Sequence, residues 1–255
     1  MNNIFNLNRF GRLFVKHTVE NYKSYLMSLT VLMGVMILGG SFLIYMIEAP
    51  MDRGLQTAVF SMILLLAGTI FTSTIFSGYG DKKKAVSLLT LPASHFEKFL
   101  VAWVYSFLLF VIVYTIGFFL VDSLLINIKH FPGHTDEAIN FFRTPIVQMY
   151  IVYALLHSIA FYGAIFYEKL HFIKTAFVFF ISFGLLIATN KFLLSAFIPK
   201  TIDMSVPYGN LRIQSDQQTF EISISQQDYY MIWIISVLAL VFWTAAYYRL
   251  KEKQV

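Results

Sequence analysis

The sequence predicts an all-α integral membrane protein with six transmembrane helices, and three observations carry that prediction. Only 13% of the 255 residues are charged and 58% are hydrophobic, where a soluble domain carries about 25% charged residues. Six uncharged windows recur along the chain, each near the roughly 20 residues a helix needs to cross the hydrocarbon core with its backbone hydrogen bonds satisfied. The basic residues fall mainly into alternate connecting segments, as the positive-inside rule expects of a multi-pass chain.

Residues 1–23 read as an amphipathic interfacial helix. Leu7, Phe10 and Phe14 share one face, and Arg9, Arg12, Lys16 and Glu20 share the opposite one. Such a helix is expected to lie along the cytoplasmic leaflet with its cations near anionic headgroups. The plainer alternative is a basic flank that anchors topology. The first span, 24–47, is too long for a signal-peptide core and has no clear small-residue cleavage site after it, so it is expected to stay in place. The second span is 54–80, after a tight external connection.

The third span is 99–121 and the fourth 144–167. The fifth begins at 175 and reaches 198 by passing Lys191, whose ammonium can snorkel to the interface. The sixth, 229–248, carries Tyr229, Tyr230 and Trp233 at one end and Trp243, Tyr247 and Tyr248 at the other, which fits two aromatic belts. The external segment 199–228 alternates apolar and polar residues at 211–213 and 220–224 around SDQQ, the pattern of a small β-hairpin.

With the N-terminus in the cytoplasm, inner segments hold 13 of the 19 Lys and Arg residues with 5 acids, and outer segments hold 6 with 9 acids. The net charges are +8 inside and −3 outside. The chain is therefore expected in the cell (inner) membrane with both termini cytoplasmic, and its basic balance requires no nucleic acid. Residues 1–255 read as one polytopic domain.

Most catalytic signatures are absent. There is no phosphate-binding loop, no H-E-x-x-H, no G-x-S-x-G and no cysteine. His130 and His134, near Asp136 and Glu137, have a spacing that suits a metal, but the Pro and Gly between them favour a solvated loop, and no metal site is assigned. Gln148, His157 and Ser158 fall within the fourth span, where polar groups mark either a pathway or, more plainly, a helix–helix hydrogen bond. Apart from Lys191 no window contains a charged residue, which counts against an ion-coupled transporter or proton pump.

The connection between spans two and three, GDKKKAVSLLTLPASHFEKFL at residues 80–100, carries more structure than a linker needs. Residues 82–91 suit a short helix with Val86, Leu88 and Leu89 on one side, and Pro92 breaks it. Ser94-His95-Phe96-Glu97 then fits a capping box, in which Ser94 accepts from the Glu97 amide and Glu97 accepts from the Ser94 amide.

A basic cluster, L-T-L-P-A-S and F-E-K-F-L leading into the third of six spans resemble the permeases of ATP-binding-cassette (ABC) exporters of the second type. The likeness is clearest over residues 76–100. It implies a transport subunit with no nucleotide site or cofactor of its own. A second permease copy would complete a homodimer, and ATP and Mg would sit on a separate ATPase subunit. It further implies a coupling helix at that ATPase formed by Asp81, Lys82, Lys83, Lys84, Leu88, Leu89, Leu91 and Pro92, with Ser94, Glu97 and Lys98 fixing the start of span three. It also implies re-entrant helices before the last span, a place for which 192–198 is the available segment.

Uncharged, aromatic-rich spans in contact with membrane lipids favour an amphipathic or lipid-like substrate. The alternative is a membrane sensor or immunity protein that binds a peptide or antibiotic without transport. No acid, base and nucleophile occur together as an enzyme would need.

Overall fold

A computed structural model describes residues 5–46, 52–75, 93–128, 139–197, 201–204, 211–215, 218–222 and 226–252. The helices are α1 (Leu7–Met46), α2 (Arg53–Ile75), α3 (His95–Trp103), α4 (Phe110–Ile128), α5 (Thr144–Phe166), α6 (His171–Phe197) and α7 (Gln227–Glu252). A π-helical stretch, Val104–Leu109, joins α3 to α4, so these three pieces form one continuous rod. Six helical units are thus long and apolar enough to cross a membrane, the architecture of a multi-pass membrane protein. Their outer surfaces agree: α6 buries only Thr175 and exposes Phe177, Phe180, Leu185 and Phe192 along its length. A soluble monomer rarely leaves an apolar surface of that extent in water.

Local chemistry explains where the helices begin. The Asn6 side chain accepts from the amides of Asn8 (3.0 Å) and Arg9 (3.3 Å), capping α1. Asp52 does the same for α2 through the Leu55 amide at 2.9 Å. Pro145, in the first turn of α5, has no amide hydrogen to leave unpaired there.

The leading helix and the first span are not separate elements. α1 runs unbroken for 40 residues, about 60 Å at 1.5 Å per residue, twice the roughly 30 Å of a hydrocarbon core. No proline or stop signal lies near residue 23 to end the helix. The Phe side of its leading turns is partly covered, although Leu7 stays exposed. Phe14 stacks on Tyr105 at 4.8 Å, and Phe5 meets Phe96 edge-on at 6.2 Å. Farther along, Met33 lies against Gly117 and Leu125 against Gly40. α1 therefore runs parallel to the third rod from end to end, and that rod covers the Phe face expected at the leaflet.

The third rod also extends beyond its expected limits, from His95 to Ile128, and so includes Asp122 within a continuous helix. α6 continues through 192–197, so that stretch is helix in line with the fifth span and not a separate re-entrant piece. Before α7, strands β1 (Thr201–Met204), β2 (Leu211–Ser215) and β3 (Gln218–Ile222) form an antiparallel sheet in the order β1-β2-β3, with Ser215 opposite Gln218.

The core lies between α2, α4 and α5. Phe60, Tyr114 and Tyr153 are wholly or almost wholly buried, and the Tyr114 hydroxyl donates to the Phe60 carbonyl at 2.7 Å, setting the height of α4 against α2. Gly68 is required there: a Cβ would collide with the rings of Tyr153 and Phe110. A second cluster of Phe161, Ala164, Ile165, Ala246 and Leu250 joins α5 to α7 near the Glu97 end of the bundle.

Candidate functional site

The capping box at the start of α3 forms as its spacing predicts. The Glu97 amide donates to Ser94 Oγ at 3.1 Å, and the Ser94 amide donates to Glu97 Oε2 at 2.9 Å. Glu97 does far more than close the box. Arg9 Nε donates to Oε2 at 2.6 Å and Arg9 Nη2 to Oε1 at 2.8 Å, while the Asn6 amide donates to Oε1 at 2.8 Å. Each carboxylate oxygen thus accepts two hydrogen bonds, and the side chain has no exposed surface. Planar two-point pairing of Arg with carboxylate restricts orientation as well as distance. Two helix starts separated by some 90 residues of sequence are tied to one charge. Arg9 was expected to face headgroups, and instead its guanidinium turns inward because a buried carboxylate needs a counter-charge.

Lys98, beside this hub, is itself buried at 7% exposure. Asp81, Lys82, Lys83, Lys84, Leu88, Leu89, Leu91 and Pro92 lie in 76–92, outside the described residues, as do His130, His134, Asp136 and Glu137. Ala93 and Ser94 are the first described residues after the expected coupling helix.

A second polar node lies a little over two turns farther along the rod, in the π-helical stretch. His157 is wholly buried, and both ring nitrogens are engaged. Trp243 Nε1 lies 3.0 Å from Nδ1, and Ser106 Oγ lies 2.9 Å from Nε2. An indole only donates, so Nδ1 must accept, and the ring is neutral with its proton on Nε2. That proton goes to Ser106 Oγ, whose own hydrogen goes to the Ala102 carbonyl at 2.8 Å. The Tyr153 hydroxyl donates to the Ser106 carbonyl at 3.2 Å. Every hydrogen is assigned once, and α5, α7 and the third rod meet at one ring.

The π-helical stretch faces three ways at once. Tyr105 packs against α1, touching Phe14, His17 and Tyr25, and its hydroxyl bonds Thr18. Ser106 serves His157, and Phe107 contacts both Tyr153 and Trp243. π-Helical turns recur at functional sites because an extra residue in a turn re-aims neighbouring side chains. Of the three in-span polar residues singled out from sequence, His157 alone joins this node. Ser158 bonds the Leu155 carbonyl of its own helix at 2.7 Å, and Gln148 stands half-buried about two and a half turns away.

Trp243 and Asp122 are among the residues whose roles were not visible in the sequence. Trp243, expected in an aromatic belt, points its N–H into the bundle because it shares the inward face with Ala239, Ala246 and Leu250. Asp122, 2% exposed, accepts from the Ile139 amide at 3.3 Å through Oδ2. The helix thus continues past the expected end of the third span at 121 and carries this buried carboxylate beyond it. No family model, curated protein or solved structure matches this chain.

Proposed function

We propose that this chain is the permease subunit of an ABC exporter, moving an amphipathic or lipid-like substrate on energy supplied by a separate ATPase subunit, with a second copy completing the transport unit. The observation that carries the reading is the four-bond Glu97 hub. It stands five residues after Pro92, where the segment resembling a coupling helix ends, and it joins the third rod to α1 through a buried, charge-assisted contact. A displacement delivered at that junction moves two parallel helices as one body. Along the rod it next meets the π-helical stretch, where His157 and Trp243 bring in α5 and α7. Helix start, lock and relay are what a subunit driven from outside needs. In this reading both termini and residues 80–100 face the cytoplasm of the inner membrane.

The test is affinity purification of the full chain from its native membrane. An ATPase bearing a phosphate-binding loop should accompany it, and Leu88→Asp with Leu89→Asp should remove that ATPase while membrane insertion persists. A chain that binds a peptide or antibiotic and retains no ATPase would overturn the transport reading in favour of a sensor or immunity role.

A further inference from the structure

We infer that the groove along the first three turns of α1 is a binding site for the phosphate-bearing headgroup of an anionic phospholipid. The groove has a volume of about 420 Å³ and is lined by Arg9, Arg12, Leu13, Lys16, two asparagines and Ala93. Among the described residues, three cations line it and no carboxylate does. Glu97, the acid nearest by contact, is wholly buried, and both of its oxygens are saturated by α1 and Ser94. Its charge is matched by Arg9, so it neutralises neither Arg12 nor Lys16. Glu20 stands 3.6 Å from Lys16, but that pair is exposed on both sides and holds weakly. Arg12 is exposed and makes no hydrogen bond or ion pair with any described residue.

The geometry suits a phosphodiester. Arg12 and Lys16 are four residues apart on one helical face, so their Cβ atoms stand about 6 Å from each other. A guanidinium and an ammonium at that separation can each take one non-bridging oxygen of the same phosphate. The Glu97 hub pins the start of the helix that carries them, so the backbone positions of both cations are set before the ligand arrives. Leu13 lies between them in sequence and gives the same lining an apolar contact for a glycerol or acyl stem, which free phosphate would not use. The helix then continues into the uncharged run 24–47, so a lipid seated along it keeps its tails beside apolar surface. A bound headgroup would thus become a third anchor of α1, beside Glu97 and Tyr105. This inference does not depend on transport or on an ATPase.

The experiment uses the full chain purified in mild detergent and titrated with phosphatidylglycerol, phosphatidylcholine or inorganic phosphate, with thermal unfolding followed by tryptophan fluorescence. Phosphatidylglycerol should raise Tm saturably, and the other two should not. Arg12→Gln with Lys16→Gln should weaken the phosphatidylglycerol midpoint roughly 20- to 30-fold, the loss of two headgroup cations. The lipid-free Tm should hold, because neither residue belongs to the Glu97 hub. Lys169→Gln with Lys251→Gln, which removes two cations near the same end of the bundle, should leave the midpoint unchanged. Equal stabilisation by phosphatidylcholine would overturn the assignment, and so would an equal loss in the control pair. Saturation by inorganic phosphate alone would mark a free-anion site instead. A groove variant that keeps its phosphatidylglycerol response but loses a protein partner would mark a protein-docking surface.

Discussion

Replacing Glu97 with Gln changes one oxygen to an amide and removes one charge, with almost no change in volume. Whichever way the amide turns, two of the four donors to the carboxylate lose their acceptor and face N–H groups instead. Hydrogen bonds to a charged group contribute about 1.5–3 kcal/mol each, and breaking a fully buried ion pair costs about 3–5 kcal/mol. The Arg9 side chain is 35% exposed, so water recovers part of that loss. The expected destabilisation is therefore about 2–4 kcal/mol. Ser94→Ala removes the other half of the capping box and should cost only about 1 kcal/mol. Equilibrium unfolding in mixed micelles, followed by the three tryptophans, measures both. Exchanging the charges, Arg9→Glu with Glu97→Arg, supplies a decisive control. Arg at 97 cannot accept from the Ser94 and Asn6 amides, so the exchange should not restore stability. If Glu97→Gln costs no more than Ser94→Ala, or if the exchanged pair is as stable as the parent, the four-bond account is refuted.

Three further outcomes test the capping box, the His157 node and the proposed topology. Ser94→Asp keeps an acceptor for the Glu97 amide and should retain most ATPase stimulation, while Ser94→Ala lowers it modestly; near-total loss in both would end the capping role. Nitrogen NMR of labelled His157 should report a neutral ring protonated at Nε2, and Trp243→Phe should free Nδ1, shift that resonance and destabilise the bundle by about 1 kcal/mol; an unshifted resonance would remove the Trp243 contact. In intact cells an impermeant thiol reagent should label a cysteine placed at Gln217 and spare one at Lys83, and the opposite pattern would invert the topology.

What the sequence makes legible here is local. Six spans follow from charge-free length, and the Ser94–Glu97 box follows from a three-residue spacing that one helical turn closes by itself. The partners of Glu97 are different: Arg9 and Asn6 lie 88 and 91 positions away, and nothing in a stripe of basic residues distinguishes the member that turns inward. His157 announces itself as a polar residue in an apolar window, yet Ser106 resembles any helical serine that bonds its own backbone. The π-helical stretch has no composition that marks it. Trp243 was assigned by depth, which belts obey, whereas its role depends on azimuth around α7. That the third helix runs on past Asp122 is likewise hidden, since charge marks where an apolar window ends and not where a helix does.

The most direct test of the central claim is site-specific photo-crosslinking from position 89 in the native membrane. With a photoreactive residue in place of Leu89, illumination should attach this chain to an ATPase subunit, and the adduct should weaken when Glu97→Gln loosens the junction behind it. The same residue in place of Gln217 should give no such adduct. An absence of any ATPase adduct from position 89, with the chain correctly inserted and abundant, would contradict the permease account.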